Sequence, residues 1–181
     1  MELSYYQMAY DDIAQISEME QEFFSTPWSE ASIGHYAEAG NTIFIVARTK
    51  EPYRGKREQL PGEIPGDSVK TPDELPRKVA GYAALLCAAD EGNLVSIGVR
   101  KEYRQMGIAT ELLDILYDLA AERGVASINL EVRESNLPAI RFYEKEGFER
   151  TGKRPGFYRN PTEDALLYIR QLQEDKGNKH A

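Results

Sequence analysis

The sequence predicts a single α/β domain built on a mixed, mostly antiparallel sheet with helices on both faces. Three observations support this fold class. The 181 residues are 41% hydrophobic, which is enough to bury one substantial core. Short segments with the alternation of β-strands are interleaved with segments whose apolar residues recur at helical spacing. A basic turn that contains glycine leads from an apolar strand into the longest predicted helix.

The first half of the chain is predicted as a strand, two helices and three strands. Leu3–Met8 fits a strand, and Asp11 is the expected N-cap of a helix that ends near Phe23. Ser29 is expected to cap a second short helix that runs towards Gly40. The next strands are expected at Ile43–Arg48, Val79–Ala89 and Leu94–Val99, with a hairpin turn at Asp90–Asn93.

The second half is predicted as a helix, a strand, a helix and two strands. The long helix runs from Gly107 to Arg123, and Gly124 suits the left-handed position after its end. Its predicted apolar face consists of Ile108, Leu112, Ile115 and Leu119. After this helix, we predict a strand at Ser127–Arg133, a helix at Asn136–Glu146 and a final strand at Ala165–Leu172.

The segment from Lys50 to Lys78 interrupts this pattern. It holds five of the nine prolines and has no helical or strand period. Because its few apolar residues cannot offset the entropy lost on ordering, we predict a flexible inserted loop at 50–78, with a substrate lid as the alternative. The domain is therefore expected to span residues 1–172, and the tail at 173–181 to be frayed.

Composition and charge narrow the function. The formal net charge of -8 disfavours direct binding to nucleic acid or an anionic membrane and favours basic partners. Met1–Tyr10 lacks the pattern of a secretory signal, and no apolar run is long enough to cross a membrane. Cys87 is the only cysteine, so an internal disulfide is excluded and a reducing cytoplasm is expected. His35 and His180 lie far from any carboxylate cluster in the sequence, so no metal site is predicted.

The turn at Arg104–Thr110 is the first candidate functional site. Backbone N–H groups at a helix start have no intrahelical partner and carry partial positive charge, so they attract phosphate oxygens. Gly107 lets the backbone approach such a ligand closely. The simpler alternative is a helix that packs its glycine and alanine against the sheet. No P-loop and no Gly-x-Gly-x-x-Gly pattern follows a strand, which argues against a nucleoside triphosphatase and a Rossmann dehydrogenase.

A second candidate site combines a strand with the helix that follows it. Glu131 projects from the strand face opposite to the apolar residues of the same strand. Asn136 and Tyr143 share one stripe of the following helix, about 10 Å apart along its axis, so one extended ligand can contact both. The alternatives are a solvated glutamate and a half-buried core tyrosine.

Together the two sites resemble the GCN5-related N-acetyltransferase (GNAT) family. Arg104-x-x-Gly107-x-Ala109 is similar to the family's acetyl-CoA pyrophosphate loop, and Leu130–Phe148 is similar to its second half. The likeness is closest to the RimI-type ribosomal-protein alanine N-acetyltransferases, which share Pro27-Trp28-Ser29 and a late tyrosine, here Tyr158, followed by Glu163-Asp164-Ala165. The resemblance to the RimI-type enzymes covers Met1–Leu172 apart from the insert at 50–78. Phe157 departs from the pattern, since relatives often carry a second tyrosine there.

The resemblance implies a GNAT fold in which two central strands splay apart, with acetyl-CoA as cosubstrate and no metal. The pantetheine arm is expected to fill the gap like an extra strand, and a backbone N–H near Val99 to polarise the thioester carbonyl. Gly98 interrupts its strand and indicates a bulge or a close backbone approach. The implied cofactor-binding residues are Ile97, Val99, Arg104, Gln105, Met106, Gly107, Ile108, Ala109, Thr110, Asn136 and Tyr143.

The resemblance also implies the chemistry and the acceptor. Glu131 is the implied base, Tyr143 the implied acid, and Trp28, Glu131 and Tyr158 are the implied acceptor-binding residues. The expected acceptor is a protein N-terminal α-amine, with the N-terminal alanine of a basic small-subunit ribosomal protein as the leading case. The sequence leaves open a small-molecule amine or an internal lysine as acceptor, and also a non-catalytic acetyl-CoA sensor or interaction module. We expect a cytoplasmic monomer or weak dimer.

Overall fold

The structure, a computed structural model, describes residues 3–53 and 76–172. Within these ranges the strands are β1 (Leu3–Gln7), β2 (Thr42–Pro52), β3 (Arg77–Ala88), β4 (Glu91–Val99), β5 (Ser127–Arg133), β6 (Glu149–Tyr158) and β7 (Glu163–Gln171). The helices are α1 (Ile13–Phe23), α2 (Glu30–Glu38), α3 (Ile108–Glu122) and α4 (Leu137–Lys145). Their type and order agree with the sequence prediction.

The strands form one sheet in the order β1-β2-β3-β4-β5-β7-β6. Neighbouring strands are antiparallel except β4 and β5, which run parallel. A parallel pair needs a crossover connection, and α3 supplies it. The predicted fold class, a mixed and mostly antiparallel sheet, is confirmed.

The parallel pair separates soon after it forms. The last paired residues of β4 and β5 are Asn93 and Asn129. Beyond them, β4 stays paired with β3 and β5 stays paired with β7, so each strand is held only from its outer side. The inner edges diverge and leave a gap between Leu94–Val99 and Leu130–Arg133. This confirms the splayed pair of central strands.

Two apolar clusters lie on opposite faces of the sheet. The larger one joins the sheet to α3 and α4 and includes Leu112, Leu116, Tyr143 and Phe148. The smaller one joins it to α1 and α2 and includes Ile16, Met19 and Ile33. We call these the α3/α4 face and the α1/α2 face. Leu130 and Val132 belong to the larger cluster, so Glu131 between them projects to the α1/α2 face.

The start of α1 differs from the sequence prediction. The assignment of Asp11 as N-cap is wrong, because Tyr10–Asp12 form a short 3-10 turn and Asp12 directly precedes the helix. Asp12 is 1% exposed and accepts hydrogen bonds from the Ala9 amide at 2.8 Å and from Arg48 Nε at 2.9 Å. The local sequence pattern does not distinguish between two adjacent aspartates as the N-cap, since the position of Asp12 depends on Arg48, which is distant in the sequence.

The boundaries of three strands also differ. The turn before β4 is Ala89–Asp90, because Ala88 already pairs with Glu91. β2 continues to Pro52, which pairs with Arg77 at the start of β3 after an irregularity in the register. Both ends of the predicted insert at 50–78 therefore belong to strands. Its remaining part, residues 54–75, and the predicted frayed tail at 173–181 lie outside the described residues.

Two predicted helix caps are confirmed, and the predicted buried face of α3 is corrected. Ser29 caps α2, its side chain accepting from the Ser32 amide at 3.2 Å. Gly124 follows α3 with φ +78°, as expected for the left-handed position. The buried stripe of α3 is shifted, however, because Leu113, Leu116 and Tyr117 are buried while Ile115 and Leu119 are only half-buried.

Candidate active site

The turn before α3 forms a concave array of backbone amides. Gln105 and Gly107 have positive φ angles of 62° and 80°, and left-handed residues of this kind turn successive N–H groups towards one side. Within the described part of the chain, the N–H groups of Gln105–Thr110 have no hydrogen-bond partner. A Cβ at Gly107 would meet no atom within 4 Å. Gly107 therefore serves conformation rather than packing, which favours an anion cradle; we use this name for Gln105–Thr110.

The side chains around the cradle are partly engaged elsewhere. Arg104 Nε donates to the Val99 carbonyl at 3.1 Å, and its guanidinium lies 5.1 Å from the centre of the Phe23 ring. Thr110 Oγ1 donates to Glu146 Oε1 at 2.8 Å, which joins the start of α3 to the end of α4. The free donors of the cradle are thus backbone groups, and Arg104 adds positive charge at its edge.

The inner edge of β4 faces the gap beside the cradle. The Arg100 amide donates to the Ala80 carbonyl at 2.9 Å, so residue 100 turns its backbone polar groups towards β3. These groups alternate along a strand, so Ile97 and Val99 turn theirs into the gap. An extended ligand can pair with such an edge as an added strand.

Gly98 marks a close approach rather than a bulge. A Cβ there would lie 2.9 Å from Tyr82 Cε1 and 3.0 Å from Phe23 Cδ2, so a larger residue would displace one of these rings. The irregularity of β4 lies instead at Val95, which is the extra residue between two successive pairs with β3. A bulge increases local twist and bends its strand, and this one lies just where β4 leaves β5.

Glu131 lies where β5 has separated from β4, on the α1/α2 face. Its side chain is 25% exposed, and Oε1 is 3.5 Å from Nη1 of Arg154, which is 52% exposed. An ion pair that is this long and this exposed contributes little free energy. The carboxylate therefore remains accessible to a ligand that enters from the α1/α2 face.

Tyr143 lies on the opposite face, within the larger apolar cluster. The residue is 9% exposed, and its ring packs against Phe142 and Phe148. Burial, followed by the influence of Tyr158 and Tyr117, raises the pKa of its hydroxyl above the usual value of 10.0. The described residues provide no hydrogen-bond partner for this hydroxyl. It therefore keeps its proton at neutral pH and is free to donate it in a hydrogen bond.

Tyr158, the last residue of β6, interacts electrostatically with both of these groups. Burial and the charge of Glu131 raise its pKa to about 12, against the lowering influence of Arg133. Tyr158 in turn contributes to the raised pKa of Tyr143. Electrostatic influence of this kind requires proximity. Tyr158 therefore interacts electrostatically with Glu131 on the α1/α2 face and with Tyr143 on the α3/α4 face.

Asn136 and Trp28, two of the predicted site residues, also have structural partners. Asn136 is the N-cap of α4, and its Oδ1 accepts from the Ala139 amide at 3.3 Å. Trp28 stacks on Tyr36 with ring centroids 4.6 Å apart and packs against the smaller cluster. Trp28 is half-buried, so its side chain forms part of the surface of the α1/α2 face and does not project from it.

Sequence reasoning missed Glu20, a buried acid beneath this face. Glu20 is 2% exposed, and its carboxylate accepts from Ser96 Oγ at 2.6 Å, from the Trp28 amide at 3.1 Å and from the Tyr82 hydroxyl. A signal was present, because Glu20 is one turn from Ile16 and from Phe23 on the buried stripe of α1. A charged residue at such a position needs buried partners.

Two further polar residues were missed. Arg133 ends β5, and its guanidinium donates to four oxygens of the neighbouring loops. Asn93 lies at the vertex of the gap, and its Oδ1 is buried with no partner among residues 3–53 and 76–172. Arg133 shares the alternating strand face of Glu131, which was a signal for it, whereas Asn93 was assigned to the predicted hairpin turn and had no separate signal.

The two sites and the fold agree with one family of known proteins. The sequence model of the acetyltransferase (GNAT) family matches residues 13–148, which is more than half of the chain. The chain belongs to the GNAT family. The match contains the cradle, the gap, Glu131 and Tyr143, and this GNAT protein is accordingly an acetyltransferase.

Relatives narrow the type of GNAT enzyme. A Bacillus subtilis protein, provisionally named a ribosomal protein bS18-alanine N-acetyltransferase, is 28% identical over 160 residues, which cover 88% of this chain and 89% of that protein. The Escherichia coli ribosomal protein bS18-alanine N-acetyltransferase is 40% identical over 94 residues, 50% of this chain and 62% of that protein. These names agree with the RimI-type resemblance of the sequence.

Solved structures confirm the GNAT fold. The crystal structure of the Escherichia coli ribosomal-protein-S18-alanine N-acetyltransferase matches with a TM-score of 0.72 and 24% identity, over 99% of this chain and 100% of that one. An Arabidopsis thaliana acetyltransferase solved with acetyl-CoA matches with a TM-score of 0.72 and 17% identity, over 94% of this chain and 98% of that one.

The described residues contain neither a metal-binding group of side chains nor a membrane-spanning helix. Among the described residues of this GNAT protein, no group of three or more His, Cys, Asp or Glu side chains is placed to hold a metal ion. In the same ranges, no helix has the length and apolar character needed to cross a bilayer.

Proposed function

We propose that this protein transfers the acetyl group of acetyl-CoA to the N-terminal α-amine of a protein, with the N-terminal alanine of ribosomal protein bS18 as the leading acceptor. The gap between β4 and β5 carries this proposal, because Glu131 lies beside it on one face of the sheet and Tyr143 lies on the other face. A donor bound on the α3/α4 face and an acceptor bound on the α1/α2 face can meet only there.

The residues around the gap fit acetyl-CoA. The cradle offers unpartnered N–H groups for a pyrophosphate, with Arg104 at its edge. Ile97 and Val99 lie on an edge of β4 that pairs with no described strand, although the Val99 carbonyl accepts a hydrogen bond from Arg104, and this edge suits an extended arm. Acetyl-CoA supplies the activated acetyl group. The Val99 N–H points into the gap as a fixed dipole, which suits it to stabilise negative charge on a carbonyl oxygen.

Glu131 is proposed as the base. A carboxylate on the acceptor side can take the proton that the acceptor nitrogen loses as it bonds to the acetyl carbon, either directly or through water. An α-amine with a pKa near 8 is already about one-tenth neutral at pH 7, so this base has a modest task. A lysine with a pKa near 10.4 is neutral in fewer than about one molecule in a thousand.

Tyr143 is proposed to stabilise the departing sulfur as the carbon–sulfur bond breaks. A thiol has an ordinary pKa near 8.5, well below that of a tyrosine hydroxyl near 10. Burial widens this difference by raising the pKa of Tyr143. Full proton transfer from tyrosine to thiolate is thus unfavourable, and a hydrogen bond from the hydroxyl to the developing thiolate is the favoured role.

The acceptor side suits a basic protein. The net charge of -8 favours positively charged partners, and ribosomal proteins are basic. We further propose that Trp28 and Tyr158 line the acceptor-binding surface, and that the catalytic domain comprises residues 1–172 with an insert at 50–78. In this proposal the enzyme acts in the cytoplasm as a monomer or weak dimer.

The proposal is tested with acetyl-CoA and three acceptors: a peptide that copies the N-terminus of bS18, the same peptide with its N-terminus blocked and an internal lysine added, and a small polyamine. Release of free coenzyme A should be about 10²-fold faster with the first peptide than with either of the other two acceptors. Turnover on the lysine peptide or the polyamine alone would contradict the proposed acceptor. Binding of acetyl-CoA without any turnover would instead indicate a sensor.

A further inference from the structure

Arg133 connects the end of β5 to two separate loops. Its Nη2 donates to Ser25 Oγ at 2.8 Å and to the Arg159 carbonyl at 3.0 Å. Its Nη1 donates to Glu163 Oε2 at 3.1 Å and to the Pro161 carbonyl at 3.2 Å. The Arg133 side chain is 20% exposed and that of Glu163 is 16% exposed, so the charge-assisted bond between these two residues is partly desolvated and correspondingly strong.

One of these loops joins α1 to α2 and borders the proposed acceptor site. We call Phe24–Ser29 the acceptor loop. Arg133 holds it near its beginning, at Ser25, from the end of β5. Near its other end, the Trp28 amide donates to Glu20, which also accepts a hydrogen bond from Ser96 of β4.

The acceptor loop is therefore attached to both strands that border the gap. β4 and β5 are not paired with each other at Ser96 or at Arg133, because their ladder ends at Asn93 and Asn129. Among the described residues, no backbone pairing between β4 and β5 fixes the distance between these two attachment points. A ligand that paired with the inner edge of β4 would set this distance, and through it the position of the loop.

We propose that Arg133 is a positioning residue that couples occupation of the gap by the donor to the conformation of the acceptor loop. The inference rests on the proposed function for its account of what binds in the gap and on the loop. Coupling between two ligands is reciprocal, so a bound donor raises the affinity for the acceptor and the acceptor raises the affinity for the donor.

The contact between Arg133 and Ser25 can be removed without disturbing the rest of the site. Ser25→Ala deletes one exposed hydroxyl and leaves the other three partners of Arg133 in place. Thr26→Ala is the matched control, because Thr26 is the adjacent exposed residue and its hydroxyl makes no hydrogen bond with the described residues.

The only tryptophan of the chain, Trp28, reports on the acceptor loop directly. We expect coenzyme A to change the Trp28 fluorescence of the wild type and of Thr26→Ala. In Ser25→Ala the change should be largely lost, although calorimetry should give the same affinity for coenzyme A within about twofold. With a bS18 peptide, Ser25→Ala should raise the KM of the peptide about fivefold or more and leave kcat nearly unchanged, as expected for lost coupling rather than lost chemistry.

The outcomes separate this inference from the proposed function. Equal fluorescence changes in Ser25→Ala and the wild type, or no change in the wild type despite binding, would overturn the coupling. Failure of every N-terminal peptide as a substrate would contradict the proposed acceptor, whereas the fluorescence comparison uses coenzyme A alone and still decides the coupling. If calorimetry showed no binding of coenzyme A to the wild type, both the coupling and the proposed function would be contradicted.

Discussion

The anion cradle and the acceptor side of the gap are built in opposite ways. The cradle is formed by backbone groups of six consecutive residues, Gln105–Thr110, in a conformation that Gly107 makes accessible. The acceptor side is formed by side chains from separate elements, including Ser25, Glu131, Arg133 and Tyr158. The cradle should therefore tolerate changes of side chain and be sensitive to its backbone. The acceptor side should show the reverse.

The largest expected effect lies on the acceptor side. At pH 7 a peptide with a free N-terminus should be acetylated about 10²-fold faster than a matched lysine peptide, because the pKa values of the two amines differ by about 2.4 units. Comparison of kcat/KM for the two peptides measures this ratio. Similar kcat/KM values for the two peptides would show that the acceptor side deprotonates lysine by a mechanism that Glu131 does not explain.

The pH profile sharpens the same comparison. The kcat/KM for the N-terminal peptide should rise with pH, reach half of its maximum near pH 8, the pKa of the α-amine, and level off about one unit above it. Burial raises the pKa of Tyr143, so this hydroxyl stays protonated below its usual value of 10.0 and causes no falling limb there. A loss of activity between pH 8 and the usual pKa of tyrosine, without unfolding, would argue against Tyr143 as the donor.

Tyr143→Phe tests the point where the two regions meet. Turnover should fall about 10²-fold, because the developing thiolate loses its hydrogen-bond donor, while the ring keeps its packing against Phe142 and Phe148. Single-turnover kinetics and calorimetry with coenzyme A measure chemistry and binding separately. Unchanged turnover would show that Tyr143 has only a structural role.

Gly107→Glu tests the cradle. The affinity for coenzyme A should fall by about tenfold or more, because a side chain with left-handed φ costs about 1–2 kcal/mol and a carboxylate repels phosphate. Gly107→Asn is the control, since asparagine tolerates this conformation and carries no charge. Equal affinities of wild type and Gly107→Glu, measured by calorimetry, would show that the cradle does not bind the cofactor.

The smallest expected effect concerns the support of the acceptor side. Glu20→Gln should lower the free energy of unfolding by about 1 kcal/mol or more, because the amide cannot accept from Tyr82, Ser96 and Trp28 all at once. Glu22→Gln, at an exposed position on the same helix, should change it by less than about 0.5 kcal/mol. Urea unfolding of both variants makes the comparison, and equal stabilities would show that Glu20 is not held as the structure indicates.

The sequence predicted most of the fold because its signals are local. Helical and strand periods gave the order of all the elements, and Ser29 and Gly124 marked helix ends by their own backbone preferences. The sequence was wrong, or left alternatives open, where a residue distant in the chain decides the outcome. Asp12 replaced Asp11 because of Arg48, and the sequence left both a bulge and a close approach open at Gly98 because register and packing involve more than one element.

The candidate site divides in the same way. By itself the sequence determined the cradle, the face of β5 that carries Glu131 and the helix that carries Tyr143, because each depends on backbone conformation within one or two elements. Only the tertiary structure decided that the Arg133 guanidinium lies over the Tyr158 ring, and that Arg133 contacts Ser25, which is 108 positions away in the chain. Such contacts form when the sheet brings remote segments together, and no short-range preference of the chain encodes which side chains then meet.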